Sequence, residues 1–556
     1  MHNVRSKFVM SLLTIAIFYS SFLFLKAVYE IQFIEAKYFT SQAMSYRLKE
    51  TTLKASRGTI FDTNLIPIVT NSRGFDVGII PRDIKNIDEV SESLSVILGI
   101  NSDDLKDRIN KQDSFFYIAR NIDYRTGVEL ISWKMSGLIL EETNNRILHQ
   151  NSFEKLIGTV DPDGIGIEGL ELYFNNYLSG QDGKIVYESA PNGRIIPQAD
   201  IQTTLPIHGE DLILTINSEL QFKAGEVCSE AIKRTNSMNC SIAFSDAKTG
   251  DVIILVEKSN ENVSHISSDL MNLRAYYEPG SSLKIFTIGA LIEKDNSYLD
   301  VVYNVPDKIE VIKGSCNLNK KINGCFRDFK NHENYNLKLE NIIERSSNVG
   351  TILATSELSI SEIESYLSKY GFMSKTGINL TGELPGRISS NKSCSTCLAS
   401  LSIGYSIDVT QLQMLRAYSI IANGGKDVTL SLIKDELSNV QNNNSVVNKD
   451  HAKILKEFLV NVVQGDNGTA KILKSIPHVT GGKTGTSRTY IEGSGYSENL
   501  FTTSFIGFTE FEDTTVVGSI ILWGASINPS SEYITGGSTA APLYKEMIEY
   551  FQKVGG

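Results

Sequence analysis

An uncharged apolar run near the N-terminus constrains this chain more than any other feature of its sequence. Residues 8–25 form 18 consecutive uncharged and mainly apolar positions in a chain of 556 residues. As a helix rising ~1.5 Å per residue, the run spans roughly 27 Å, about one hydrocarbon core. Arg5 and Lys7 precede it, and Glu30 and Glu35 follow it. The positive-inside rule therefore predicts a cytoplasmic N-terminus and an exported remainder.

A cleaved signal peptide is the alternative interpretation of this run. The run is long for a signal peptide, and the segment 26–30 (Lys-Ala-Val-Tyr-Glu) offers no small-x-small cleavage site. No later stretch is long and apolar enough to span a membrane again. We therefore expect an uncleaved anchor that crosses the membrane once.

Composition and charge limit the class of protein. Apolar residues make up 41% of the chain, and its length exceeds what one hydrophobic core usually serves, so two or more folded domains are expected. Lys and Arg total 53 against 64 Asp and Glu, which gives a formal charge of -11, and no basic cluster is interleaved with aromatic residues. This balance argues against nucleic acid as a partner.

The chain is predicted to have three parts: 1–29, 30–205 and 206–556. The middle part mixes short strand-like runs with polar segments. In the last part, residues 241–246 and 252–256 read as a β-hairpin, 503–508 and 514–523 as strands, and 219–233 and 543–551 as helices. Strands at both ends with helices between them predict a mixed α/β (α+β) domain, in which helices cover a sheet.

Six cysteines all lie in the predicted exported region, and their number is even. Disulfides are therefore permitted. The short separations make Cys316 with Cys325, and Cys228 with Cys240, the easiest local pairings. Free buried thiols rank second, and a zinc site ranks last because neither cysteine nor histidine spacing matches a standard ligand pattern.

The first segment that could carry chemistry is 278–284 (Glu-Pro-Gly-Ser-Ser-Leu-Lys). The Pro-Gly pair breaks structure and apolar residues then recur at helical spacing, so Ser281 should lie at or near a helix start. Lys284 is three residues on, on the same helix face, where its amine could reach the serine hydroxyl. A buried lysine with a second cation nearby loses its proton more easily and can act as a base. Taken alone, the pattern is better explained by a helix cap beside a solvated lysine, because such four-residue matches occur by chance.

The second segment is Ser346-Ser347-Asn348, which lies between two helix-like stretches and should form a turn. Ser346 could relay a proton between Lys284 and a leaving amine. The Asn348 amide could hold both Lys284 and a substrate backbone group. Another helix cap is the competing interpretation of this segment.

The third segment, 481–486, contains Lys483, Thr484, Gly485 and Thr486 in a β-prone run with glycines. It reads as an edge strand that a peptide could extend. The lysine and the two threonine hydroxyls suit a terminal carboxylate. A phosphate-binding loop is excluded because the required earlier glycine is absent and no helix follows.

The three segments together, Ser-x-x-Lys, Ser-x-Asn and Lys-Thr-Gly in that order, are far more specific than any one of them. The chain resembles the class B penicillin-binding proteins, and it is most similar to septal transpeptidases of the FtsI type. Residues 57–62 and 166–171 resemble the pedestal signatures of this family. Further matches lie at residues 214–217, 402–406, 409–413, 423–425, 468–470 and 536–542.

The resemblance implies a transmembrane helix, an elongated pedestal (dimerisation-like) domain and a penicillin-binding transpeptidase domain whose central, mainly antiparallel sheet is flanked by helices. The expected substrate is a peptidoglycan stem peptide ending in D-Ala-D-Ala. Ser281, Lys284, Ser346 and Asn348 would be catalytic. Residues 483–486 would bind the substrate, with the backbone N–H groups of Ser281 and Thr486 as the oxyanion hole. No metal or organic cofactor is expected.

The resemblance also implies a setting. The protein would lie in the bacterial inner membrane with its catalytic domain in the periplasm, would be acylated by β-lactams, and would work with a glycan polymerase of the FtsW type and other divisome proteins. An elongation-specific transpeptidase, a D,D-carboxypeptidase and an inactive divisome scaffold are the alternatives. The family usually has glycine at Leu65, aspartate at Asn217, and glutamine or a second glycine near Tyr405 and Ser406. These departures bear on the subfamily and not on the chemistry.

Overall fold

The computed structural model describes residues 2–189, 202–260, 270–317, 324–388, 394–434, 444–491, 495–526 and 534–554. The chain divides into two compact units, residues 1–57 with 179–209 and residues 58–178 with 210–556. By its contacts, the stretch 58–178 belongs with the C-terminal region. The three-part division of the chain at residues 29 and 205 stays a prediction.

The described α-helices are α1 (His2–Tyr29), α2 (Ala36–Arg47), α3 (Ile87–Leu98), α4 (Ser102–Lys111), α5 (Tyr124–Ser132), α6 (Glu154–Ile157), α7 (Gly169–Tyr173), α8 (Asn175–Leu178), α9 (Ser218–Thr235), α10 (Met271–Arg274), α11 (Lys284–Lys294), α12 (Leu339–Arg345), α13 (Asn348–Thr355), α14 (Ile360–Lys369), α15 (Cys397–Ser402), α16 (Gln411–Ala422), α17 (Lys449–Gln464) and α18 (Ala540–Lys553).

The described strands are β1 (Leu48–Leu53), β2 (Ile60–Phe61), β3 (Pro67–Ile79), β4 (Phe116–Asp123), β5 (Leu138–Leu148), β6 (Gly183–Glu188), β7 (Gln202–Thr204), β8 (Leu212–Ile213), β9 (Asn239–Asp246), β10 (Val252–Ser259), β11 (Tyr303–Val305), β12 (Lys308–Glu310), β13 (Cys325–Arg327), β14 (Tyr335–Leu337), β15 (Arg387–Ile388), β16 (Ile407–Asp408), β17 (Val479–Ile491), β18 (Gly495–Glu510) and β19 (Thr515–Ala525).

The first unit contains the predicted apolar helix. The helical segment Val4–Ile34 has a mean hydropathy of 2.2, and none of its most apolar window is buried, so it fits a single-pass membrane anchor. It is the only such helix among the described residues. After α2, strands β1, β6 and β7 form a three-stranded antiparallel sheet.

The N-terminal part of the second unit is built around the long strand β3, which pairs with β2, β4 and β5. Helices α3 and α4 pack together, and α5 packs on β3. Their apolar side chains form a separate small core that includes Val77, Leu94, Leu105 and Leu130. The sequence analysis predicted strand-like runs in this region and missed these three helices. The spacing of apolar residues in α3, with Val90 and Leu94 buried one turn apart, carries the signal that it overlooked.

The larger sheet of the second unit has the strand order β10-β9-β19-β18-β17, with every neighbouring pair antiparallel. Strands β9 and β19 are buried along almost their whole length, as expected for a sheet covered by helices on both faces. Helices α9 and α18 contact this sheet, as do α16 and α17. The predicted hairpin, the two late strands and the closing helix are all confirmed.

Helix α11 is the buried centre of the helical layer. Its residues 284–292 are all buried, and it contacts α13, α14 and α17. The aromatic ring of Phe286 packs against Tyr370, Phe372 and Tyr418. This packing fixes the position of the turn that precedes α11, and of Ser281 within it.

Three disulfides join the six cysteines, and both predicted pairings are present: Cys228–Cys240 and Cys316–Cys325. The third, Cys394–Cys397, was not named from the sequence. The Cys228–Cys240 bond ties α9 to β9, and the Cys316–Cys325 bond closes the short hairpin of β12 and β13.

Candidate active site

Ser281 lies in the 3-10 turn Gly280–Leu283, directly before α11, as the motif predicts. The turn is held from several sides. Gly280 donates its N–H to the carbonyl of Gly404 at 3.0 Å, and Tyr418 donates its hydroxyl to the carbonyl of Ser282 at 2.8 Å. A Cβ atom on Gly404 would lie 2.0 Å from the Gly280 carbonyl oxygen, so only glycine permits this approach. Ser281 itself is partly exposed, between buried neighbours.

Lys284 is fully buried at the first position of α11. Its Nζ donates to the carbonyl oxygen of Ser346 and to Oδ1 of Asn348, both at 2.7 Å. Burial lowers the pKa of Lys284 to about 7, against a smaller opposing effect of Asp328. Among the described residues, no hydrogen bond joins the Ser281 hydroxyl to the Lys284 amine. The predicted contact between these two groups is therefore not made in the structure.

Residues 346–348 form the predicted turn between two helices, α12 and α13. Ser346 takes the left-handed conformation, with φ 58°, at the end of α12, and Ser347 caps α13 by accepting the N–H of Gly350 at 2.8 Å. Asn348 is the first residue of α13, and its Nδ2 donates to the carbonyl of Arg327 at 2.8 Å. The orientation of its amide is fixed by Lys284 on one side and this carbonyl on the other.

Strand β17 is an edge strand, as the sequence predicts, since among the described strands it pairs only with β18. It carries residues 483–486 past the turn of Ser281. A Cβ atom on Gly485 would lie 2.3 Å from Oγ of Ser504 and 2.9 Å from the carbonyl oxygen of Pro279. Glycine at this position therefore allows the strand to approach the turn. The hydroxyl of Thr486 accepts the N–H of Gly536 at 3.1 Å.

Lys483 is fully buried and donates to Oγ of Ser346 at 2.7 Å and to the carbonyl of Thr484 at 3.2 Å. Burial, followed by the nearby charge of Lys284, lowers the pKa of Lys483 well below its usual range. The sequence analysis expected Lys483 to suit a terminal carboxylate, which requires its cationic form. Burial opposes that form.

Ser346 connects the two lysines. Its carbonyl oxygen accepts from Lys284, and its hydroxyl accepts from Lys483. The sequence analysis expected the Ser346 hydroxyl beside Lys284, whereas it contacts Lys483. The structure therefore brings all three motifs together at Ser346. The hydroxyl that could carry a proton contacts the lysine of the third motif.

Three residues that sequence reasoning missed support these groups. Asp328 accepts from the Ser347 hydroxyl at 2.7 Å and from the N–H of Val349 at 3.0 Å. The Thr469 and Thr484 hydroxyls share a hydrogen bond of 2.9 Å, and Glu278 contacts Ser406 and Tyr496. Thr469 and Glu278 lie inside recognised motifs and could have been singled out. No sequence signal marks Asp328.

Comparisons with known proteins agree with this geometry. Residues 240–549 match the penicillin binding protein transpeptidase domain, and residues 52–214 match the penicillin-binding protein dimerisation domain. The probable peptidoglycan D,D-transpeptidase PenA of Neisseria meningitidis is 25% identical over 560 residues, which cover 98% of this chain and 92% of that protein. The peptidoglycan D,D-transpeptidase FtsI of Buchnera aphidicola is 26% identical over 554 residues, which cover 96% and 93%.

Solved structures show the same fold. Penicillin binding protein 2X of Streptococcus thermophilus superposes with a TM-score of 0.68 at 21% identity, covering 91% of this chain and 80% of that chain. Penicillin-binding protein PBP2 of Helicobacter pylori, solved in complex with MreC, gives a TM-score of 0.72 at 21% identity and covers 91% and 99%. With both domain models matched in order, the chain belongs to the class B penicillin-binding proteins and is a peptidoglycan D,D-transpeptidase.

Proposed function

We propose that this enzyme cross-links stem peptides through an acyl-enzyme on Ser281, and that it does so in septal cell-wall synthesis. The observation that carries the chemical part is the meeting of Lys284 and Lys483 on one serine, Ser346, at the turn between α12 and α13. Two buried amines that share a polar bridge can hold and move a proton where a hydroxyl must lose one.

In the acylation step, the Ser281 hydroxyl attacks the carbonyl of the penultimate D-Ala. The neutral amine of Lys284 takes the hydroxyl proton, since burial keeps its pKa near 7. The new bond joins Ser281 Oγ to the carbonyl carbon, and the bond to the terminal D-Ala nitrogen breaks. That nitrogen leaves with the proton that Lys284 took from Ser281, passed on through the Ser346 hydroxyl, so Lys284 is neutral again for the second step. The N–H groups of Ser281 and Thr486 would stabilise the oxyanion, where one lost donor typically costs ~3 kcal/mol.

The terminal carboxylate of the substrate would meet Lys483 and the hydroxyls of Thr484 and Thr486. A carboxylate beside Lys483 favours the protonated amine, because an opposite charge offsets the burial that now opposes it. Binding of the substrate would thus favour protonation of Lys483, and the resulting ammonium group would bind the substrate carboxylate. An amine from a second stem peptide then attacks the ester, and its proton returns through Lys284 to Ser281.

Labelling with a fluorescent penicillin tests the nucleophile. We expect the wild-type chain to form a stable labelled band and Ser281→Ala to form none, because the covalent bond requires the Ser281 hydroxyl. The control is Ser356→Ala, which removes an exposed serine whose hydroxyl only donates to the carbonyl of Leu353. Labelling of Ser281→Ala at the wild-type level would refute the assignment of the nucleophile, whereas a wild-type chain that is not labelled would favour the inactive scaffold.

The septal role is supported by the resemblance along the whole chain to FtsI of Buchnera aphidicola. A septal enzyme needs a membrane partner that polymerises glycan strands, and we assign a polymerase of the FtsW type and the divisome to that role. Elongation-specific cross-linking is the alternative role. A fluorescent fusion at midcell in dividing cells supports the septal role, whereas side-wall fluorescence contradicts it.

The orientation completes the proposal, with the N-terminus in the cytoplasm and the catalytic unit in the periplasm. It is supported by Arg5 and Lys7 before the apolar helix. A protease added to spheroplasts should digest the catalytic unit while the inner membrane is intact. Protection until the membrane is lysed would reverse the assignment.

A further inference from the structure

We propose that Glu278 is a positioning residue for acylation, which holds the turn of Ser281 and the strand of Thr486 in one arrangement. The proposal rests on the proposed function, because it takes Ser281 as the nucleophile. Glu278 lies three residues before Ser281 and is partly buried. Nothing in the reaction scheme uses its carboxylate directly.

Both carboxylate oxygens of Glu278 accept hydrogen bonds from distant parts of the chain. Oε1 accepts the backbone N–H of Ser406 at 2.9 Å, and Oε2 accepts the hydroxyl of Tyr496 at 2.9 Å. The backbone carbonyl of Glu278 accepts the hydroxyl of Ser487 at 3.0 Å. One residue therefore links its own turn to three other positions.

These positions belong to the walls around Ser281. Ser406 follows Gly404, whose carbonyl receives the N–H of Gly280. Ser487 is the residue after Thr486 on β17, and Tyr496 lies on β18, the strand that pairs with β17. Glu278 thus joins the nucleophile turn, the segment between α15 and β16, and the two-stranded edge of the large sheet.

The backbone of Ser406 has an unfavourable conformation, which the contacts at this junction must stabilise. Ser406 has φ 61°, a left-handed conformation that costs an L-residue other than glycine roughly 1 kcal/mol. Such a conformation persists when the surroundings over-determine it. In this conformation, the Ser406 N–H donates to the carboxylate of Glu278, and this hydrogen bond stabilises the conformation.

The contacts predict which kinetic constant changes. Both oxygens of Glu278 are occupied by groups of the protein, so the residue acts through others and not on the substrate. Loss of its carboxylate should misplace Ser281 relative to the Thr486 N–H. The first-order acylation rate would fall, whereas the dissociation constant of the noncovalent β-lactam complex would change little.

The charged and titratable groups that face Glu278 are Tyr496 on β18, Asp408 on β16, and Tyr405 before it, with Arg488 on β17 beyond Tyr405. Burial is the largest effect on Glu278 and raises the pKa of its carboxyl. Protonation removes a charged acceptor that the Ser406 N–H and the Tyr496 hydroxyl both need. As the carboxyl becomes protonated at lower pH, the wild type should therefore come to resemble a variant with glutamine at this position.

The experiment measures acylation of the full-length protein in detergent by stopped flow with a fluorescent penicillin, which separates the first-order rate from the dissociation constant. At pH 8 we expect Glu278→Gln to lower the rate about tenfold or more, since small misplacements of reacting groups cost up to about a hundredfold. The dissociation constant should stay within about twofold. As the pH falls and Glu278 itself becomes neutral, the difference from the wild type should shrink.

Tyr496→Phe provides a second variant that does not threaten the fold, because Tyr496 is 50% exposed and loses only its hydroxyl. It should lower the rate less than Glu278→Gln, and the double variant should lose less than the product of the two single losses. The matched control is Tyr490→Phe, because Tyr490 is exposed and stacks edge-on against Tyr496. This control should acylate at the wild-type rate.

The outcomes separate this proposal from the one on which it rests. If Ser281→Ala is labelled, the proposed function fails. If Ser281→Ala is silent but Glu278→Gln acylates within twofold of the wild type, only the positioning role fails. A loss confined to the dissociation constant also overturns it.

Discussion

At the scale of single residues, Lys284 shows how burial sets chemistry. Its side chain is fully buried, which disfavours the ammonium form, while two acceptors at 2.7 Å favour it. Burial prevails, and the pKa falls to about 7. Near neutral pH a large fraction of Lys284 is then the free amine, which is the form that can accept a proton from Ser281.

The pH dependence of acylation follows from this value. The reactive amine is the deprotonated form, so the acylation rate should rise as the pH increases through about 7 and then level off. Asn348→Asp places a carboxylate where the amide oxygen now meets Lys284. It should move the midpoint upwards by about 1 unit or more, because an opposite charge favours the ammonium form. A midpoint unchanged or lowered in Asn348→Asp would contradict Lys284 as the base.

Departures from the usual family sequence have structural counterparts. Leu65 and Ser406 both have left-handed φ values, 62° and 61°, at or near positions where the family usually has glycine. Asn217 replaces aspartate but still caps α9, by accepting the N–H groups of Glu219 and Leu220. Asparagine and aspartate serve equally well as N-caps, so this change alters little.

Leu65→Gly should stabilise the protein. Leu65 is 61% exposed, so little packing is lost, and glycine removes the left-handed penalty of about 1 kcal/mol. We expect the free energy of unfolding in urea to rise by up to that amount. The control is Leu205→Gly, at an exposed leucine without positive φ, which should not stabilise. Equal effects of the two changes would rule out backbone strain as the cause.

At the scale of elements, the turn between α12 and α13 depends on a neighbour outside the three motifs. Asp328, just after β13, accepts from the Ser347 hydroxyl and from the N–H of Val349, and it contacts Nε2 of His332 at 3.0 Å. Arg327 supplies the carbonyl that orients Asn348. The hairpin closed by Cys316–Cys325 therefore supports the residues that hold Lys284.

Asp328→Asn should weaken this support. Hydrogen bonds to a charged group contribute about 1.5–3 kcal/mol, so we expect the free energy of unfolding to fall by about 2 kcal/mol. The negative charge that now raises the pKa of Lys284 is also lost, so the acylation midpoint should move to lower pH.

The control for this prediction is Asp300→Asn. Asp300 is exposed and pairs only with Lys338 on the surface, and such pairs contribute about 0–1 kcal/mol. Urea unfolding and acylation against pH measure both effects. A midpoint that rises in Asp328→Asn would show that Asp328 does not act on Lys284 through its charge.

At the scale of the whole molecule, the apolar helix decides where the enzyme works. Deleting residues 2–34 removes the segment that fits a membrane anchor. The shortened protein should be extracted without detergent, whereas the full chain should need detergent. It should still be labelled by fluorescent penicillin, because the motif residues all lie beyond position 280. Retention of the shortened protein in washed membranes would contradict a single anchor.

The sequence predicts most of what is local. The hairpin of β9 and β10, the edge strand β17 and the turn at residues 346–348 follow from period, turn residues and glycine placement, each within about 20 residues. The contact of Lys483 with Ser346 joins residues 137 apart, and that of Asp328 with Ser347 joins common residue types with no spacing rule. Such contacts depend on packing of the complete domain and leave no pattern in the chain.

Strand β17 pairs with β18 alone among the described strands, and its other edge limits what the enzyme could recognise there. Backbone N–H and C=O groups are nearly the same in all amino acids. A peptide that paired with this edge would therefore be recognised by its extended conformation and not by its side chains. Bacteria that vary the middle of their stem peptides could therefore keep this edge unchanged. Discrimination between such stem peptides would then depend on side chains of the other segments that surround Ser281.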